Sequence, residues 1–391
     1  MADKDMKKIL IVNNNLHIGG VQKALISLLW NIRDRYDITL LLFHQSGEYT
    51  DQLPPEVKVI TPSSGYRYMG MPQQDAATQK DLLVRNLYAG ITRLLGRKLA
   101  VFLMGLGQKT IGEYDVAISY LHNSGDKSFY GGCNDFVLNH VYAKKKVAVL
   151  HCDYTLSGGN TPNNNHQYAR FDTIAACSQG VADAFLKVNP NLVDKVVVVP
   201  NCHRFDQIRM QAQAEPVELP RDRINVVTVA RLGREKGVER AVRVMARLGE
   251  EKKKLHYYII GDGIQRETIR QIIGREKLKD RVTLLGTLEN PYGYIRAADL
   301  LWIPSYSEAA PLVIGEAACL GTPILSTETS SARGMIEDTG YGWVCGNSEE
   351  SMLRSLKMIV SDRSVLEEKQ GVLAEMAWSN DAALTNFADL L

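Results

Sequence analysis

Two glutamates with seven residues between them are the first candidates for chemistry in this sequence. Glu308 lies in the loop that follows the predicted strand 300–303, and Glu316 lies on the helix predicted after that loop. A carboxylate in either place can accept hydrogen bonds from vicinal hydroxyls, as acidic residues do for ribose in dinucleotide-binding folds. Taken alone, the pair is equally compatible with two solvated glutamates near a helix end, where the helix dipole favours negative charge.

The start of this helix is predicted to bind an anion. Pro311 is expected at the first helical position, where the N–H group that proline lacks would be unpaired in any residue. The N–H groups of Leu312 and Val313 would then face outward, with the positive end of the helix dipole behind them. This combination suits a diphosphate.

A basic turn, residues 229–237, directly follows the first predicted strand of the second half of the chain. Arg231 can make two-pronged contacts to phosphate, and Lys236 can add a point charge beside it. Ligands of parallel α/β sheets bind at the carboxyl edge, and cations there stabilise the charge that a departing nucleoside diphosphate gathers. An ordinary basic surface turn is the alternative for this segment considered alone.

Two features of the first half of the chain suit a ligand site. Gly19 and Gly20 separate the first predicted strand from the first predicted helix, so a ligand can approach the backbone closely. His151 ends the predicted strand 146–150, where its imidazole and its carbonyl would both face a ligand, although a structural histidine is the alternative. The glycine loop is neither GxGxxG nor GxxxxGK[ST], which disfavours a nicotinamide dehydrogenase and a P-loop nucleotidase.

Strand and helix patterns alternate along the chain and position these residues. The strands are continuous apolar runs, which are typical of parallel strands covered on both faces. The pattern lapses at 201–221 around a polar connector, 213–220, and then starts again, which predicts two doubly wound α/β domains. The last stretch, 365–391, is helical in character. The predicted strands are 8–12, 38–43, 57–60, 116–120, 146–150, 173–176 and 196–199, then 225–229, 257–260, 282–285, 300–303 and 323–326.

Composition narrows the class of protein. A length of 391 residues suggests two or three domains, and 45% hydrophobic with 23% charged residues is ordinary for a soluble globular chain. The net charge of +2 excludes a polycation of the nucleic-acid-binding type. The six cysteines form no CxxC pair, and the N-terminus lacks the apolar core of a signal peptide. We therefore expect reduced thiols, a cytoplasmic location and no structural zinc.

Together these motifs resemble the glycosyltransferases of family 4 with the GT-B fold, retaining enzymes that build polysaccharides and other glycans from nucleotide sugars. The matching segments follow the family order along nearly the whole chain. They are the glycine loop 19–23, the strand-end His151, Asn201, the basic turn 231–237, the glycine pair at 261–263, Glu308 with Glu316, the segment 321–324, and the tail 378–379.

The resemblance implies an α/β architecture of two doubly wound Rossmann-like domains facing a cleft. Residues 1–203 would form an acceptor-binding domain and residues 204–375 a nucleotide-sugar-binding domain. Residues 376–391 would form a C-terminal helix that crosses back to the first domain.

The resemblance also assigns roles to residues. Arg231 and Lys236 would bind the diphosphate, Glu316 the ribose, and Glu308 the hydroxyls of the donor sugar. No metal or other cofactor is expected, because the only DxD-like triplet is 3–5, far from these motifs. The predicted catalytic set is His151, Arg231, Lys236 and Glu308, and the predicted donor-binding set is Gly19, Gly20, Arg231, Lys236, Gly261, Pro311, Leu312, Val313 and Glu316.

The implied reaction is metal-independent, retaining transfer of a sugar from a nucleotide-diphosphate donor, expected to be UDP-linked, to a glycan or lipid-linked acceptor. Two alternatives remain open. A nucleotide-sugar epimerase of the same architecture would convert the donor without any acceptor. A catalytically silent partner of a glycosylation complex would bind the nucleotide sugar only, although such a copy has no need to keep Arg231, Lys236, Glu308 and Glu316 together.

The stretch 80–109 suggests peripheral contact with an anionic membrane. It carries six basic residues against the single acid Asp81. On one helix its apolar residues would form a stripe, with Arg85 and Arg93 opposite and Arg97 near the border, as in helices that lie at a membrane interface. The alternative is that the stripe packs onto the sheet of its own domain. The basic residues are Lys80, Arg85, Arg93, Arg97, Lys98 and Lys109, and the stripe is Leu83, Leu87, Ile91, Leu94 and Phe102.

Overall fold

The chain forms two compact units in a computed structural model that describes residues 6–391, apart from the side chain of Lys252. The first unit ends at Cys202 and also takes in Asn380–Leu391. The second unit covers His203–Ser379. Each unit contains one parallel sheet with helices packed on it.

The first unit is built on a seven-stranded sheet in the order β3-β2-β1-β4-β5-β6-β7. All neighbouring strands are parallel. The strands are β1 (Lys8–Asn13), β2 (Asp37–Leu42), β3 (Lys58–Ile60), β4 (Ile111–Ser119), β5 (Val141–Leu150), β6 (Thr173–Ala176) and β7 (Val196–Val198). The helices are α1 (Gly20–Ile32), α2 (Tyr66–Met69), α3 (Gln79–Leu95), α4 (Arg97–Gly105), α5 (Cys133–His140), α6 (Pro162–Ala169) and α7 (Gln179–Val188).

The second unit is built on a six-stranded sheet in the order β10-β9-β8-β11-β12-β13. Its neighbouring strands are also parallel. The strands are β8 (Ile224–Val229), β9 (Leu255–Ile260), β10 (Val282–Gly286), β11 (Leu300–Ile303), β12 (Ile324–Thr327) and β13 (Gly342–Cys345). The helices are α8 (Phe205–Ala214), α9 (Val238–Ala246), α10 (Arg266–Arg275), α11 (Tyr292–Ala297), α12 (Val313–Cys319), α13 (Glu349–Ser361) and α14 (Ser364–Glu375).

The prediction of two doubly wound α/β sheets is confirmed. Strands β1 and β2 are buried on both faces, as their unbroken apolar runs predicted, because every residue except the first of each strand is buried. A helix joins most strands to the next one along the chain, because neighbouring parallel strands need a crossover connection. In both sheets the strand order reverses beside the first strand, between β1 and β4 and between β8 and β11. Doubly wound folds bind ligands outside the carboxyl ends of the strands at this switch point.

A last helix, α15 (Asp381–Asp389), returns the chain to the first unit. Phe387 is buried in the core of that unit and packs its ring 6.3 Å from the ring of Tyr36. The Asn386 amide donates to the carbonyl of Val198, at 2.9 Å, so the helix is also tied to the edge strand β7. The preceding helix α14 remains with the second unit, where Leu373 is part of the core.

The stretch 80–109 differs from the single helix that its pattern predicted. Gly96 has a φ of +90° and separates α3 from α4. Arg97, which we expected at the border of a surface helix, is completely buried because it anchors α4 to polar groups of the unit. The alternative in which the apolar stripe packs on the sheet is wrong for four of its five members, because Leu83, Leu87, Leu94 and Phe102 are exposed.

Two further observations concern the chain as a whole. All six cysteines are free, and all but Cys152 are buried. Within residues 6–391, no helix combines the length and the apolar character that crossing a lipid bilayer requires.

Candidate functional site

The switch point of the second unit brings two loops into contact. One loop, 230–237, follows β8, and the other, 304–312, follows the neighbouring parallel strand β11. Gly237 has a φ of +60°, and a Cβ atom there would lie 2.2 Å from the carbonyl oxygen of Pro304, so only glycine fits. The N–H of Tyr306 donates to the carbonyl of Glu235, at 2.8 Å. The two loops therefore form one surface at the carboxyl edge of the sheet.

Lys236 and Glu308 meet on this surface. The Lys236 Nζ lies 2.7 Å from Oε1 and 2.9 Å from Oε2 of Glu308. The Ser305 hydroxyl donates to the same Oε1, at 2.7 Å, so three hydrogen bonds fix the carboxylate. The side chain of Glu308 is only 10% exposed and that of Lys236 23%. Glu308 is thus a held, mostly buried carboxylate rather than a solvated one.

Arg240, which is not among the predicted site residues, holds the loop that carries Glu308. Its guanidinium is buried, donates to the carbonyls of Pro304 and Ser305 at 2.9 and 2.8 Å, and lies 3.8 Å from the ring centroid of Tyr306. The Thr327 hydroxyl also donates to the Ser305 carbonyl, at 2.5 Å. The available signal was an arginine on the apolar face of α9, next to Ala241, where a charged side chain needs buried partners.

Arg231 does not join the Lys236–Glu308 pair. Its side chain is 77% exposed, and its guanidinium lies 2.8 Å from Oε1 of Glu235, four residues later. Ion pairs of this exposed kind contribute about 0.2–1 kcal/mol, so an incoming phosphate can displace Glu235 at little cost. Arg231 is therefore placed on the same loop as Lys236 but is turned toward solvent.

Gly261 shapes the loop that carries Arg231. It follows β9 with a φ of +134°, and a Cβ atom there would lie 1.9 Å from the carbonyl oxygen of Ala230. The Leu232 N–H donates to the carbonyl of Asp262, at 2.8 Å, which continues this close contact beyond the ends of β8 and β9. The observed role of Gly261 is to let the loop after β9 pack against the backbone of the basic turn.

The helix that carries Glu316 begins later than predicted. The expectation that Pro311 occupies the first helical position is wrong, because α12 begins at Val313. Leu312 already has helical angles, φ −58° and ψ −30°, and the Ile314 N–H donates to the Pro311 carbonyl, at 3.2 Å. This three-residue hydrogen bond closes a tighter turn than an α-helix, so Pro311 and Leu312 form a short lead-in to α12.

Glu316 is buried on α12, with 3% of its surface exposed. The imidazole of His203 lies against the neighbouring Gly315, where a Cβ atom would be 2.5 Å from its Nε2. His203 also stacks on Phe205, at 5.1 Å between ring centroids. The alternative of two solvated helix-end glutamates therefore fits neither Glu308 nor Glu316.

The first unit presents its predicted residues around its own switch point. Helix α1 begins at Gly20, directly after the loop that follows β1, and Gly19 before it has an extended backbone. A Cβ atom on Gly20 would meet nothing within 4 Å in the described part of the chain, so the start of α1 is open. We expected glycines here for close ligand approach, and that role stays a prediction.

His151 lies directly after β5, and its ring packs 4.6 Å from the ring of Tyr120, which follows β4. Burial, with a smaller contribution from His122, lowers the pKa of His151 to about 3, so the imidazole is neutral near pH 7. Its Nε2 is buried without a hydrogen-bond partner among residues 6–391. A neutral imidazole with one unused nitrogen can exchange a hydrogen bond with a ligand.

A second histidine, His17, lies in the loop after β1 and is held by two carboxylates. Its Nε2 lies 2.6 Å from Asp75 and its Nδ1 lies 3.2 Å from Glu48. Glu48 also accepts the N–H of Ile18, at 3.0 Å, so this loop is tied to two distant segments. No sequence pattern pairs these residues, which are 31 and 58 positions apart. Within the described residues, no group of three or more His, Cys, Asp or Glu side chains is arranged to hold a metal ion.

Comparison with known proteins finds a family match in the second unit and relatives with the same fold. Residues 210–375 match the family model of glycosyl transferases group 1. The N-acetylgalactosamine-N,N'-diacetylbacillosaminyl-diphospho-undecaprenol 4-alpha-N-acetylgalactosaminyltransferase of Campylobacter jejuni is 29% identical over 139 residues, which are 35% of this chain and 37% of that protein. The putative colanic acid biosynthesis glycosyltransferase WcaL of Escherichia coli is 28% identical over 148 residues, 35% of this chain and 36% of that protein. These matches thus span little more than a third of either relative.

Similarity of structure extends much further along the chain. The crystal structure of Anabaena Alr3699/HepE in complex with UDP and glucose superimposes with a TM-score of 0.67 at 18% identity, and the alignment covers 98% of each chain. A TM-score of 0.67 over nearly the whole chain shows that the two proteins share a fold, and at 18% identity the comparison shows the fold alone. With two parallel Rossmann-like sheets, a returning C-terminal helix and the group 1 match in its second unit, the chain has the GT-B glycosyltransferase fold.

Proposed function

We propose that this protein is a retaining glycosyltransferase of family 4 that transfers a sugar from a UDP-linked donor to a glycan or lipid-linked acceptor in the synthesis of a polysaccharide or glycoconjugate. The observation that carries the proposal is the Lys236–Glu308 pair at the switch point of the second unit. Both residues belong to the part of the chain that matches group 1 transferases. The Anabaena protein, which shares the fold, was crystallised with UDP and glucose.

The donor would lie across the two loops after β8 and β11. Lys236 and Arg231 would contact the diphosphate, because one ammonium and one guanidinium on a single turn can neutralise its charge. Leu312 and the start of α12 would add N–H groups for the same anion. Glu308 would accept hydrogen bonds from hydroxyls of the sugar, and the buried Glu316 would accept them from the ribose.

The transfer would proceed on one face of the sugar ring. The bond between the anomeric carbon and the β-phosphate oxygen breaks, and both of its electrons leave with the UDP. The acceptor oxygen forms its bond to the anomeric carbon from the same face, and its proton passes to the departing phosphate oxygen. Lys236 and Arg231 favour this step because negative charge grows on the diphosphate as the bond breaks. His151, neutral at physiological pH, is proposed to exchange a hydrogen bond with a ligand of the first unit.

The proposal includes no metal ion. The two cationic side chains and the lead-in to α12 would neutralise the diphosphate in place of a divalent cation, and no other cofactor would take part. The acceptor is proposed to be a glycan or a lipid-linked sugar, which would put the protein in the cytoplasm, on the inner face of a membrane. The Campylobacter relative is named for a diphospho-undecaprenol-linked substrate.

A panel of nucleotide sugars tests this function. The matching donor should raise the unfolding free energy by about 2.7 kcal/mol at a concentration of 100 times its Kd, and UDP alone should also stabilise the protein. The stabilising donor, incubated with lipid-linked and soluble glycan acceptors, should then release UDP only when an acceptor is present. Conversion of the donor with no acceptor would instead indicate the epimerase, and binding without any turnover would indicate the silent partner.

A further inference from the structure

Helix α3 turns its apolar face away from the protein. Leu83, Leu87 and Leu94 follow one another at helical spacing and are 70%, 62% and 79% exposed. The inward side of the same helix carries Ala89 and Thr92, which are buried. The helix therefore exposes the large apolar side chains that an ordinary surface helix would bury.

Polar and aromatic contacts hold the inward side of α3 against other segments of the first unit. Arg85 donates to the carbonyl of Met71, at 3.2 Å, and its guanidinium lies 5.3 Å from the ring centroid of Phe129. The Thr92 hydroxyl donates to the carbonyl of Tyr88, whose ring lies 6.0 Å from that of Tyr68. The contacts of Arg85 and of the Tyr88 ring reach other segments and fix the rotation of α3, so the exposure of its leucines is set by the fold.

Helix α4 continues the same arrangement after Gly96. Its first residue, Arg97, is completely buried, donates to the carbonyl of Ser124 at 2.8 Å and lies 3.7 Å from Asp126 and 4.0 Å from Asp135. This anchor leaves the other side of α4 in solvent. The outer sides of both helices, here called the α3–α4 face, expose Leu83, Leu87, Leu94, Leu95, Leu99, Phe102 and Leu106.

The charge around these apolar side chains has one sign. Between 79 and 109 the only acid is Asp81. Its carboxylate accepts the hydroxyl of Thr78 at the start of α3, at 2.7 Å, and this hydrogen bond lowers the pKa of the carboxyl. The N–H of Asp81 in turn donates to the Thr78 hydroxyl oxygen, at 3.1 Å. The exposed basic residues on the two helices and just beyond them are Lys80, Arg93, Lys98 and Lys109.

The exposed apolar side chains and the positive charge around them together indicate which kind of partner the α3–α4 face would bind. A cluster of large exposed apolar side chains marks an interaction surface. A symmetric contact with a second copy of the chain would bring the same basic residues together on both sides, and like charges would repel. A bilayer with anionic headgroups offers an apolar layer for the leucines and negative charge at the depth of the lysines and arginines.

We propose that the α3–α4 face docks the first unit on the surface of an anionic lipid bilayer, with Leu94 and Phe102 inserted among the acyl chains and Arg93 and Lys98 at the headgroups. The proposal deepens the proposed function by naming the surface that would carry a lipid-linked acceptor, and it rests on that function only for the acceptor. Docking itself requires neither donor nor catalysis.

Flotation of the whole protein with vesicles tests the docking. Vesicles of phosphatidylcholine alone should bind little protein, and binding should rise as phosphatidylglycerol is added and fall again at high salt. Arg93→Glu/Lys98→Glu should weaken binding to the anionic vesicles by at least about twentyfold, because each basic residue near anionic lipid is worth about fivefold. Leu94→Ser/Phe102→Ser should weaken it by at least about tenfold, because the apolar side chains no longer enter the bilayer.

Lys58→Glu/Lys187→Glu is the matched control, because it makes the same change of charge at exposed lysines elsewhere in the first unit. This variant should float like the wild type. All variants should keep the wild-type far-ultraviolet circular dichroism and the stabilisation by UDP, which separates failure of docking from failure of the donor site.

Three outcomes would overturn the proposal. Wild-type protein that stays unbound at low salt with the most anionic vesicles excludes a membrane surface. Equal loss of binding in the control pair would assign the effect to net charge. Light scattering that shows a dimer in the wild type and a monomer in Leu94→Ser/Phe102→Ser, without flotation of either, would make the α3–α4 face an interface between copies.

Discussion

At the scale of single residues, Lys236 is held by one partner and available to another. Its ammonium group has three N–H bonds, and the two oxygens of Glu308 accept from it at 2.7 and 2.9 Å. A phosphate oxygen can therefore be added to the pair without separating it. The pair also couples a proposed phosphate ligand to a proposed sugar ligand, so that binding of one half of the donor orients the side chain for the other half.

Replacement of the two cations should slow the reaction. We expect Lys236→Ala and Arg231→Ala each to lower kcat by tenfold or more at saturating donor, because the charge that grows on the diphosphate is no longer neutralised. Arg234→Ala is the matched control, since it removes an exposed arginine from the same turn. Steady-state kinetics with purified variants measure the effect, and a wild-type kcat in either variant would remove that side chain from the phosphate site.

The two glutamates should differ in which ligand they affect. Glu316→Ala should weaken binding of UDP and of the UDP-sugar alike, because the ribose is present in both. Glu308→Ala should spare UDP and weaken only the intact UDP-sugar. Calorimetric titration of both variants with both ligands measures this, and Glu368→Ala, an exposed glutamate of the same unit, is the control. An equal loss for the two ligands in Glu308→Ala would contradict the assignment to the sugar.

His151 should make stability depend on pH. Its pKa is about 3 in the folded protein and near 6.5 when unfolded, so below pH 6.5 the unfolded state binds a proton that the folded state does not. The contribution of His151 to folding stability is therefore fully present above about pH 6.5 and is lost as the pH falls toward 3. Urea titrations between pH 6.5 and 4.5 should give a slope about 1 kcal/mol per pH unit shallower in His151→Gln than in the wild type. An unchanged slope would mean that this imidazole protonates in the folded state as readily as in solution.

At the scale of elements, the clamp formed by α9 on the loop after β11 is the device that positions Glu308. Arg240 and Thr327 both donate to the Ser305 carbonyl, and Ser305 in turn donates to Glu308 through its hydroxyl. Ser305 alone thus connects Arg240 on α9 with Glu308, the residue proposed to bind the sugar. It needs no contact with the donor to affect how the donor is held.

Shortening the clamp should loosen the sugar site more than the nucleotide site. Arg240→Met leaves the carbonyl of Pro304 without its buried donor, which costs about 1–3 kcal/mol of folding stability, and leaves the carbonyl of Ser305 with the Thr327 hydroxyl alone. We expect a lower Tm together with a greater loss of affinity for UDP-sugar than for UDP. Arg240→Lys, which can still reach one carbonyl, should recover part of both losses. A variant with lower Tm but unchanged ratio of the two affinities would show that Arg240 is only structural.

The elements show what sequence patterns carry and what they omit. The strand predictions held where side chains form a continuous buried run, but β4 and β5 begin earlier than predicted, because residues 111–115 and 142–145 are half-buried or exposed and lack an apolar run. Strand β13 was missed for the same reason, with glycine first and two half-buried residues in the middle. Periodicity gave the correct stripe on α3, but its direction depends on contacts of Arg85 and Arg97 with segments far along the chain.

The site was predictable in part. Glycines, cations and glutamates at the carboxyl ends of strands were found because parallel sheets gather ligands at that edge. The pairing of Lys236 with Glu308, 72 residues apart, follows from the adjacency of β8 and β11, which sequence periodicity does not encode. The pairing of Arg231 with Glu235 and the start of α12 at Val313 rather than at Pro311 were not predicted from the sequence. Arg240 lies on the apolar face of α9, which indicates buried partners but does not identify them as the carbonyls of Pro304 and Ser305, 64 and 65 residues away.

At the scale of the whole molecule, the proposed chemistry uses only groups that the chain itself supplies. We expect full activity after dialysis against EDTA and no gain on addition of Mg²⁺ or Mn²⁺, because the cationic turn replaces the metal at the diphosphate. The measurement is release of UDP under otherwise identical conditions, with a metal-dependent transferase treated in parallel to show that the chelator works. Activity abolished by EDTA and restored by a divalent cation would overturn this model of the site.

The return of α15 to the first unit means that the second unit is inserted into the first. Ala383, Phe387 and Leu390 belong to the same core as β1, β2 and β4. During synthesis on the ribosome, the second unit can therefore complete its core before the first unit, although the first unit is translated earlier. Until residues 380–391 leave the ribosome, the first unit therefore exposes the apolar surface that α15 covers in the folded protein. A frameshift shortly before codon 380 would consequently harm the first unit, although the rest of that unit is encoded far upstream.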